Sequence, residues 1–236
     1  MNHFIQISDC HIDDKPFAMG VNTHQNLEKV IKKISTIEHQ ALFISGDLTH
    51  NGTPSSYKVL NQILKPLHSE LWVIRGNHDD QKNFDKYFNN HLLKQKKIGN
   101  WEIFAIDSVQ LNKTSGYVTQ KALDYLDQQL SQSSAPYQII ILHHPIVPMN
   151  SDWDDTLSLE NPNDLFTIMK KHPKIRVVLF GHAHESSEFV KDNITLVSCP
   201  STALQFNGAD HEKDKIGFNH YTLFDDGKFS YQTLWL

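Results

Sequence analysis

Histidine, aspartate and asparagine side chains follow five apolar runs of this 236-residue sequence, each close to the point where the run ends. Imidazole, carboxylate and amide groups bind transition metals, and imidazole also transfers protons near neutral pH. The candidate residues are Asp9, His11, Asp47, Asn77, His78, His143, His182 and His184. Because ligands of open α/β sheets bind at the carboxyl ends of the strands, we expect these five chain positions to converge on one cleft.

Two candidate pairs, Asp9 with His11 and His182 with His184, are spaced two residues apart. In an extended backbone this spacing directs both side chains of a pair to the same side. Glycine directly precedes a candidate at three positions, Gly46, Gly76 and Gly181. We therefore expect sharp turns and a close approach of the backbone around the cleft.

A site for two metals accounts for most of these residues. Two aspartates, one asparagine and four histidines give seven ligands, and one bridging aspartate would provide four bonds for each metal. Oxygen and imidazole ligands without thiolate favour manganese, iron or zinc over magnesium or calcium. Histidines elsewhere are interpreted as surface or capping residues. Supporting or lining roles are weighed for His50 and His144, which adjoin the motif positions, but are not favoured.

Three neighbours of the candidate ligands are interpreted as structural. Cys10 lies between two candidates, but backbone alternation directs it away from them, so we expect a small core residue. Asp79 and Asp80 precede a predicted helix and are candidates to cap it. Asp79 is also a candidate to orient His78.

Composition excludes several classes of protein. The net charge is −5 and the one dense basic cluster, LKQKK at 93–97, is short, which disfavours a large nucleic-acid surface. No apolar run is long enough for a membrane span, and the first residues lack the pattern of a secretory signal. Two cysteines, Cys10 and Cys199, are too few for a disulfide framework, so a cytoplasmic protein is the simplest interpretation.

Short β-branched or aromatic runs alternate with helical patterns up to about residue 180, which predicts an α/β protein. The predicted strands cover 3–8, 41–45, 71–75, 101–106, 137–142 and 176–180. The predicted helices cover 22–39, 55–67, 81–88, 119–131 and 163–171. Thr23 and Thr119 are the expected caps of two helices.

From about Glu188 the pattern changes to strands and hairpins, which we expect to complete a second sheet. The length and the absence of a linker predict one domain, residues 1–236. Two long polar loops, 149–161 and 207–217, are interpreted either as lids over the cleft or as plain surface loops. Nothing in the sequence indicates the oligomeric state.

Five sequence blocks carry a family resemblance. In chain order they read SDCH, SGDLTHNG, RGNHDD, LHHP and FGHAH, and they span Ser8 to His184. Together they resemble the five-block signature of the calcineurin-like metallophosphoesterases. The resemblance implies an α/β fold in which two mixed β-sheets flanked by helices form a four-layer αββα sandwich.

The resemblance also implies roles for individual residues. One metal would be held by Asp9, His11, Asp47 and His184, and the other by Asp47, Asn77, His143 and His182. His78 matches the family's catalytic histidine. The implied cofactors are two divalent or mixed-valence ions per chain, iron or manganese first and zinc as the alternative. Cys10 stands where the family often has leucine, and His50 where an acidic residue is common; these departures concern substrate selection, and neither removes a ligand.

A narrower resemblance concerns the substrate. The segments GVNTHQNLEKVI, WDDTLSLEN and PSTALQF resemble the bacterial class III cyclic nucleotide phosphodiesterases. This implies hydrolysis of cyclic AMP to 5′-AMP, with hydroxide supplied by the metals and a proton supplied to the leaving oxygen by His78. Asn77 and His78 are expected to contact the substrate. Trp153 is interpreted as a base-stacking or a packing residue, and Gln205 and Phe206 match pocket-lining positions of the family.

The block GDLTHNG supports a diester substrate independently. Protein phosphatases of the superfamily carry an arginine there, and bidentate arginine commonly binds a monoester dianion. Its absence favours a small phosphodiester such as a cyclic nucleotide. Broad-specificity or glycerophosphodiester phosphodiesterases remain alternatives, a nuclease is disfavoured by the charge, and a scaffold without catalysis is disfavoured because no ligand is lost.

Overall fold

The computed structural model describes residues 1–149, 151–206 and 215–236. Its strands are β1 (Asn2–Ile7), β2 (Phe17–Ala18), β3 (Val21–Asn22), β4 (Ala41–Ser45), β5 (Glu70–Ile74), β6 (Gln95–Ile98), β7 (Trp101–Ala105), β8 (Tyr137–Ile141), β9 (Ile175–Phe180), β10 (Glu188–Lys191), β11 (Ile194–Ser198), β12 (Gly217–Leu223) and β13 (Phe229–Trp235). Its helices are α1 (Thr23–Ile34), α2 (Pro54–Leu64), α3 (Gln81–Phe88), α4 (Gln120–Gln132), α5 (Asp152–Leu157) and α6 (Pro162–Met169). The predicted alternation of strands and helices is confirmed.

Within these residues the main strands form two sheets. A five-stranded sheet has the order β13-β12-β1-β4-β5, and a six-stranded sheet has the order β10-β11-β9-β8-β7-β6. Strands β1, β4 and β5 are parallel, as are β7, β8, β9 and β11, whereas β6, β10, β12 and β13 pair antiparallel with their neighbours. Both sheets are therefore mixed.

The two sheets pack face to face because strand residues alternate between layers. In β1, Phe4 belongs to the buried cluster between the sheets, together with Ile139 of β8. Its neighbour Ile5 belongs to the cluster on the opposite face, with Leu27 of α1 and Phe84 of α3.

The outer face of the six-stranded sheet is covered in the same way. Ile140 of β8 shares a buried cluster with Leu126 of α4 and Leu165 of α6. The layers are thus helix, sheet, sheet and helix, which confirms the four-layer αββα sandwich. In the part of the chain that the structure describes, no helix is long and apolar enough to span a membrane.

Helix ends differ from the sequence prediction for local reasons. Helix α1 ends at Ile34 because the hydroxyls of Ser35 and Thr36 donate to carbonyls of its last turn. Its cap is Asn22, whose side-chain oxygen accepts the N–H three residues later, so the prediction of Thr23 was wrong. Helix α4 is capped by Thr119, as predicted.

The C-terminal prediction was wrong in part. Strands β10 and β11 extend the six-stranded sheet, but β12 and β13 return to the first sheet beside β1. The edge strand β6 was missed because its lysines were interpreted as a basic cluster, although lysine is common on edge strands.

The two predicted polar loops have different outcomes. Residues 149–161 include the six-residue helix α5, whose cap Ser151 accepts from the N–H of Asp154. The prediction of a loop throughout this segment was therefore wrong. Of the predicted loop 207–217, residues 207–214 lie outside the described residues.

Candidate metal centre

The loops after β1 and β4 stay paired beyond the ends of the strands. The N–H of Asp9 donates to the carbonyl of Gly46 at 3.1 Å, and the N–H of His11 donates to the carbonyl of Asp47 at 3.0 Å. The two loops therefore run side by side. They bring their polar side chains to the same edge of the five-stranded sheet.

Five of the seven predicted metal ligands have positive backbone φ angles. The values are 52° at Asp9, 44° at His11, 48° at Asp47, 69° at His182 and 50° at His184. The prediction of an extended backbone at the paired positions was therefore wrong. The side chains are brought together by left-handed backbone conformations instead. Such conformations are uncommon outside glycine and cluster at functional sites.

All three predicted glycines are required by close contacts, since a Cβ at Gly46 would also lie 2.2 Å from Nδ1 of His143. A Cβ at Gly76 would lie 2.1 Å from Oδ1 of Asp47, and a Cβ at Gly181 would lie 1.9 Å from Oγ of Ser8. None of the three positions has room for a larger residue without displacing its neighbour. The expected close approach of the backbone is confirmed.

The first group of candidate ligands contains Asp9, His11 and His184. The Nε2 atoms of the two histidines lie 3.0 Å apart. Oδ1 of Asp9 lies 3.5 Å from Nε2 of His184 and 4.0 Å from Nε2 of His11. All three side chains are at least 98% buried and point to a common centre.

The second group lies on the other side of Asp47. Oδ1 of Asp47 lies 3.5 Å from Nε2 of His143, whereas Oδ2 lies 3.6 Å from Nε2 of His11 in the first group. Nε2 of His143 also lies 3.1 Å from Oδ1 of Asn77 and 3.2 Å from Nδ1 of His182. Asp47 thus faces both groups, the position that a bridging carboxylate requires.

Main-chain carbonyls orient two of the imidazoles. Nδ1 of His143 donates to the carbonyl of Ser45 at 2.8 Å, and Nδ1 of His184 donates to the carbonyl of Leu204 at 2.8 Å. In the neutral ring, each bond fixes the tautomer in which Nε2 is the ligand atom. Metal-binding histidines are characteristically supported in this way.

One buried atom shows that the residues fit a bound metal. Oδ1 of Asp9 has no hydrogen-bond partner among the described residues. A buried carboxylate oxygen without a partner is costly, and a cation next to it removes the cost. Cys10 does not compete as a ligand, because burial raises the pKa of its thiol to about 12 and it packs in the apolar cluster. Its prediction as a core residue is confirmed.

The charges of the groups are suited to metal binding. Burial opposes ionisation of Asp47, but the charge of His143 keeps the pKa of that carboxyl well below its usual value. Burial, and then the charge of His143, lower the pKa of His182 to about 3, so this ring is neutral at pH 7. Burial also opposes protonation of His143, yet the charge of Asp47 raises its pKa to about 9. His143 must therefore lose a proton before Nε2 can bind a metal.

His78 lies at the mouth of this centre. Its Nδ1 donates to the carbonyl of His50 at 2.8 Å, and its main-chain N–H donates to Oδ1 of Asp47 at 2.9 Å. The rings of His50 and His78 stack with their centroids 5.2 Å apart. The ring of His78 is fixed, half-buried and next to the first group, with His11 4.8 Å away between ring centroids.

Asp79 has a structural role that the sequence did not reveal. It accepts hydrogen bonds from the main-chain N–H groups of Leu48, Thr49 and Gly76, and from the hydroxyl of Tyr57. It therefore ties together the two loops that carry Asp47 and Asn77. The helix cap is Asp80, as predicted for one of the pair. The sequence alone, with two consecutive aspartates before a helix, does not reveal which one caps the helix and which one joins the loops.

His144 is a second supporting residue. It is fully buried, with its ring 4.9 Å from that of His143 and 4.7 Å from that of His182. Its Nδ1 bonds Oγ of Ser108 at 2.8 Å, and its Nε2 donates to the carbonyl of Thr114 at 3.1 Å. It connects the metal centre to the loop that contains Thr114.

Of three further residues predicted to contact the substrate, two line the pocket over the metal centre and the third is buried beside one of them. The ring of Phe206 stacks on that of His184 at 3.9 Å, and Trp153 meets Phe206 edge-on at 5.2 Å. Both line a pocket of about 110 Å³ over the metal centre. Gln205 is buried, and its amide donates to the carbonyls of Ser201 and Lys215, so it supports the chain beside Phe206.

The family of the chain follows from comparison with known proteins. The family model described as calcineurin-like phosphoesterase matches residues 3–186, and the chain belongs to that family. Calcineurin-like phosphoesterases use a dinuclear metal centre, and the two groups around Asp47 supply candidate ligands for one.

Relatives of the whole chain carry more specific names. The chain is 55% identical to a probable cyclic nucleotide phosphodiesterase of Ruthia magnifica subsp. Calyptogena magnifica, over 100% of both chains. It is 29% identical to the 3′,5′-cyclic adenosine monophosphate phosphodiesterase CpdA of Pseudomonas aeruginosa, over 95% of this chain and 86% of that one. A dimetal phosphatase from Danio rerio has the same fold, with a TM-score of 0.78 at 11% identity over 99% of this chain and 98% of that one.

Proposed function

We propose that this protein is a metal-dependent phosphodiesterase that hydrolyses 3′,5′-cyclic nucleotides, converting cyclic AMP to 5′-AMP. The observation that carries the proposal is the buried convergence of aspartate and histidine ligand atoms beside His78. The names of relatives that align with nearly the whole chain support the cyclic nucleotide as substrate.

The proposed metal ligands divide into two sets that share Asp47. One set is Asp9, His11, Asp47 and His184, and the other is Asp47, Asn77, His143 and His182. The mixture of oxygen and imidazole donors favours iron or manganese, with zinc as the alternative. When bound, such a pair supplies hydroxide near neutral pH and holds the phosphoryl oxygens.

His78 is the proposed catalytic residue. Its Nδ1–H is bonded to the carbonyl of His50, so the ring can donate a second proton from Nε2 when it is cationic. For cyclic AMP, an oxygen from water forms a new bond to phosphorus, the bond between phosphorus and the 3′ oxygen breaks, and His78 gives its proton to that 3′ oxygen. The phosphate remains on the 5′ oxygen, which gives 5′-AMP.

The nearby arginine supports a diester rather than a monoester. Arg75 is paired with Oδ2 of Asp107, so its charge is already neutralised. A monoester dianion would need an unpaired cation more than a diester monoanion does. Asn77 is placed to contact the phosphoryl group, and Trp153 and Phe206 line the same pocket as an aromatic wall.

The molecule is proposed to act as one domain, residues 1–236, because one buried cluster joins the two sheets. We place it in the cytoplasm, where the two buried free cysteines would stay reduced.

The test is a comparison of kcat/KM among phosphate esters in manganese-loaded protein. We expect 3′,5′-cyclic AMP to exceed glycerophosphodiesters, bis(p-nitrophenyl) phosphate and p-nitrophenyl phosphate, with Asp9→Asn inactive. A faster glycerophosphodiester would move the assignment to that substrate. No turnover by fully metal-loaded protein would support a scaffold instead.

A further inference from the structure

Two connected cavities meet at the metal centre. The pocket directly over the ligands has a volume of about 110 Å³, below the roughly 300–1,000 Å³ of usual ligand pockets. The adjoining cleft has a volume of about 850 Å³. Asn77, His78 and Thr114 line both cavities. The smaller pocket suits a phosphoryl group, whereas a larger substituent must extend into the cleft.

We propose that this cleft is the subsite for the nucleoside of the substrate, and that Glu160 is the positioning residue that holds its outer wall. The wall is residues 109–115, here called the cleft loop. The inference rests on the proposed function, because it assumes that the phosphoryl group lies over the metal ligands.

Charge pairing favours a neutral occupant of the cleft. Among the described residues that line it, the arginine and the lysine are already paired, Arg75 with Asp107 and Lys113 with Glu160. A second anionic group would therefore find neither of these two cations unpaired. A nucleoside carries no charge at neutral pH, and its base and sugar are recognised by apolar contacts and hydrogen bonds.

The cleft loop offers both kinds of contact. Leu111 is 89% exposed on the wall of the cleft and provides an apolar surface for one face of a base. Asn112 on the same wall and Gln81 elsewhere in the lining of the cleft carry amides, which can both donate to and accept from base edges.

Glu160 anchors the cleft loop from outside. Its Oε1 accepts from Nε2 of Gln110 at 3.0 Å, Nζ of Lys113 at 3.0 Å and Oγ of Ser115 at 2.7 Å. Its main-chain N–H also donates to the carbonyl of Gly116 at 2.8 Å. Both ends of the loop are therefore held by one side chain that does not itself line the cleft.

The other anchor of the loop is the metal centre itself. The carbonyl of Thr114 accepts from His144, whose ring packs on those of His143 and His182. The cleft loop is thus held between Glu160 and the ligands. Release of the Glu160 anchor should loosen the nucleoside subsite without changing the ligand groups.

The test measures binding by calorimetry to manganese-loaded full-length protein, with 5′-AMP and inorganic phosphate as separate probes. We expect wild-type protein to bind 5′-AMP more tightly than phosphate. Glu160→Ala should weaken 5′-AMP about tenfold and leave phosphate within about twofold. Leu111→Ser, at an exposed site with little effect on folding, should also weaken 5′-AMP selectively.

The matched control is Glu70→Ala. Glu70 is another half-exposed carboxylate that accepts two side-chain donors, Trp72 and Lys96, but it does not line the cleft. This variant should bind both probes like the wild type.

Equal affinity of wild-type protein for 5′-AMP and phosphate would overturn the nucleoside subsite. Parallel weakening of both probes in Glu160→Ala, or unchanged binding in both Glu160→Ala and Leu111→Ser, would overturn the role of the cleft loop. If 5′-AMP binding is lost selectively but cyclic AMP is not hydrolysed, the subsite stands and the proposed substrate fails.

Discussion

The Nε2 atoms of His11 and His184 lie 3.0 Å apart, although the two histidines follow strands of different sheets. His11 follows β1 and His184 follows β9. Because Nδ1 of His184 donates to a carbonyl, the ring is held with its Nε2 directed toward His11. The centre is therefore built at the junction of the sheets, and its side chains converge closely enough to hold one cation.

Metal removal is expected to lower thermal stability. A metal at about 100 times its Kd stabilises the fold by about 3 kcal/mol, which corresponds to about 5–10 °C in Tm for a chain of this size. Manganese should raise the Tm of chelator-treated protein by this amount, as followed by calorimetry. Asp9→Asn should reduce the response strongly. An equal response in that variant would contradict the assignment of Asp9 as a ligand.

Neighbouring substitutions should separate metal binding from proton transfer. Asn77→Ala should weaken one metal site and lower the metal content measured by elemental analysis. His78→Ala should retain both metals and lower kcat by about 10²–10⁴-fold, the usual contribution of a general acid. Equal loss of metal in the two variants would remove the role given to His78.

Gly181→Ala should destabilise the protein and weaken metal binding. The new Cβ would lie 1.9 Å from Oγ of Ser8 and 2.8 Å from Oδ2 of Asp9, which accepts from the N–H of His182. Overpacking of this kind costs about 1–3 kcal/mol. The free energy of unfolding from urea titration measures it. Gly20→Ala has no atom within 4 Å of its Cβ and is the control, with a smaller loss from its φ of +81° alone. Equal losses of unfolding free energy in the two variants would argue against the predicted clash with Ser8.

The metal-free protein should show a pH-dependent contribution from Asp79. Burial and the charge of Asp47 raise the pKa of Asp79 to about 6, above the roughly 3.9 of an unfolded chain. The folded state therefore binds the proton more tightly, so this group's contribution to stability falls as the pH rises between these values. Urea unfolding in chelator should show wild-type protein losing stability relative to Asp79→Asn over about pH 4–6. The opposite trend would contradict the raised pKa.

Much of the site was predictable because its residue types and their positions after strands are local properties. Asp9, His11, Asp47 and His143 all fall where the sequence placed them. The left-handed turns were not predictable, because tertiary contacts such as the pairing of Asp9 with Gly46 maintain them. The cleft loop and its anchor Glu160 were missed for the same reason, since their contacts join distant segments of polar sequence.

In the proposed reaction, water attacks the phosphorus of cyclic AMP at the metal centre and the 3′ oxygen leaves. The most direct measurement is mass analysis of the product formed by manganese-loaded protein in water enriched in oxygen-18. We expect 5′-AMP with one heavy oxygen on phosphorus and none on the ribose. A 3′-AMP product, heavy oxygen on the ribose, or no turnover by the metal-loaded protein would contradict the proposed reaction.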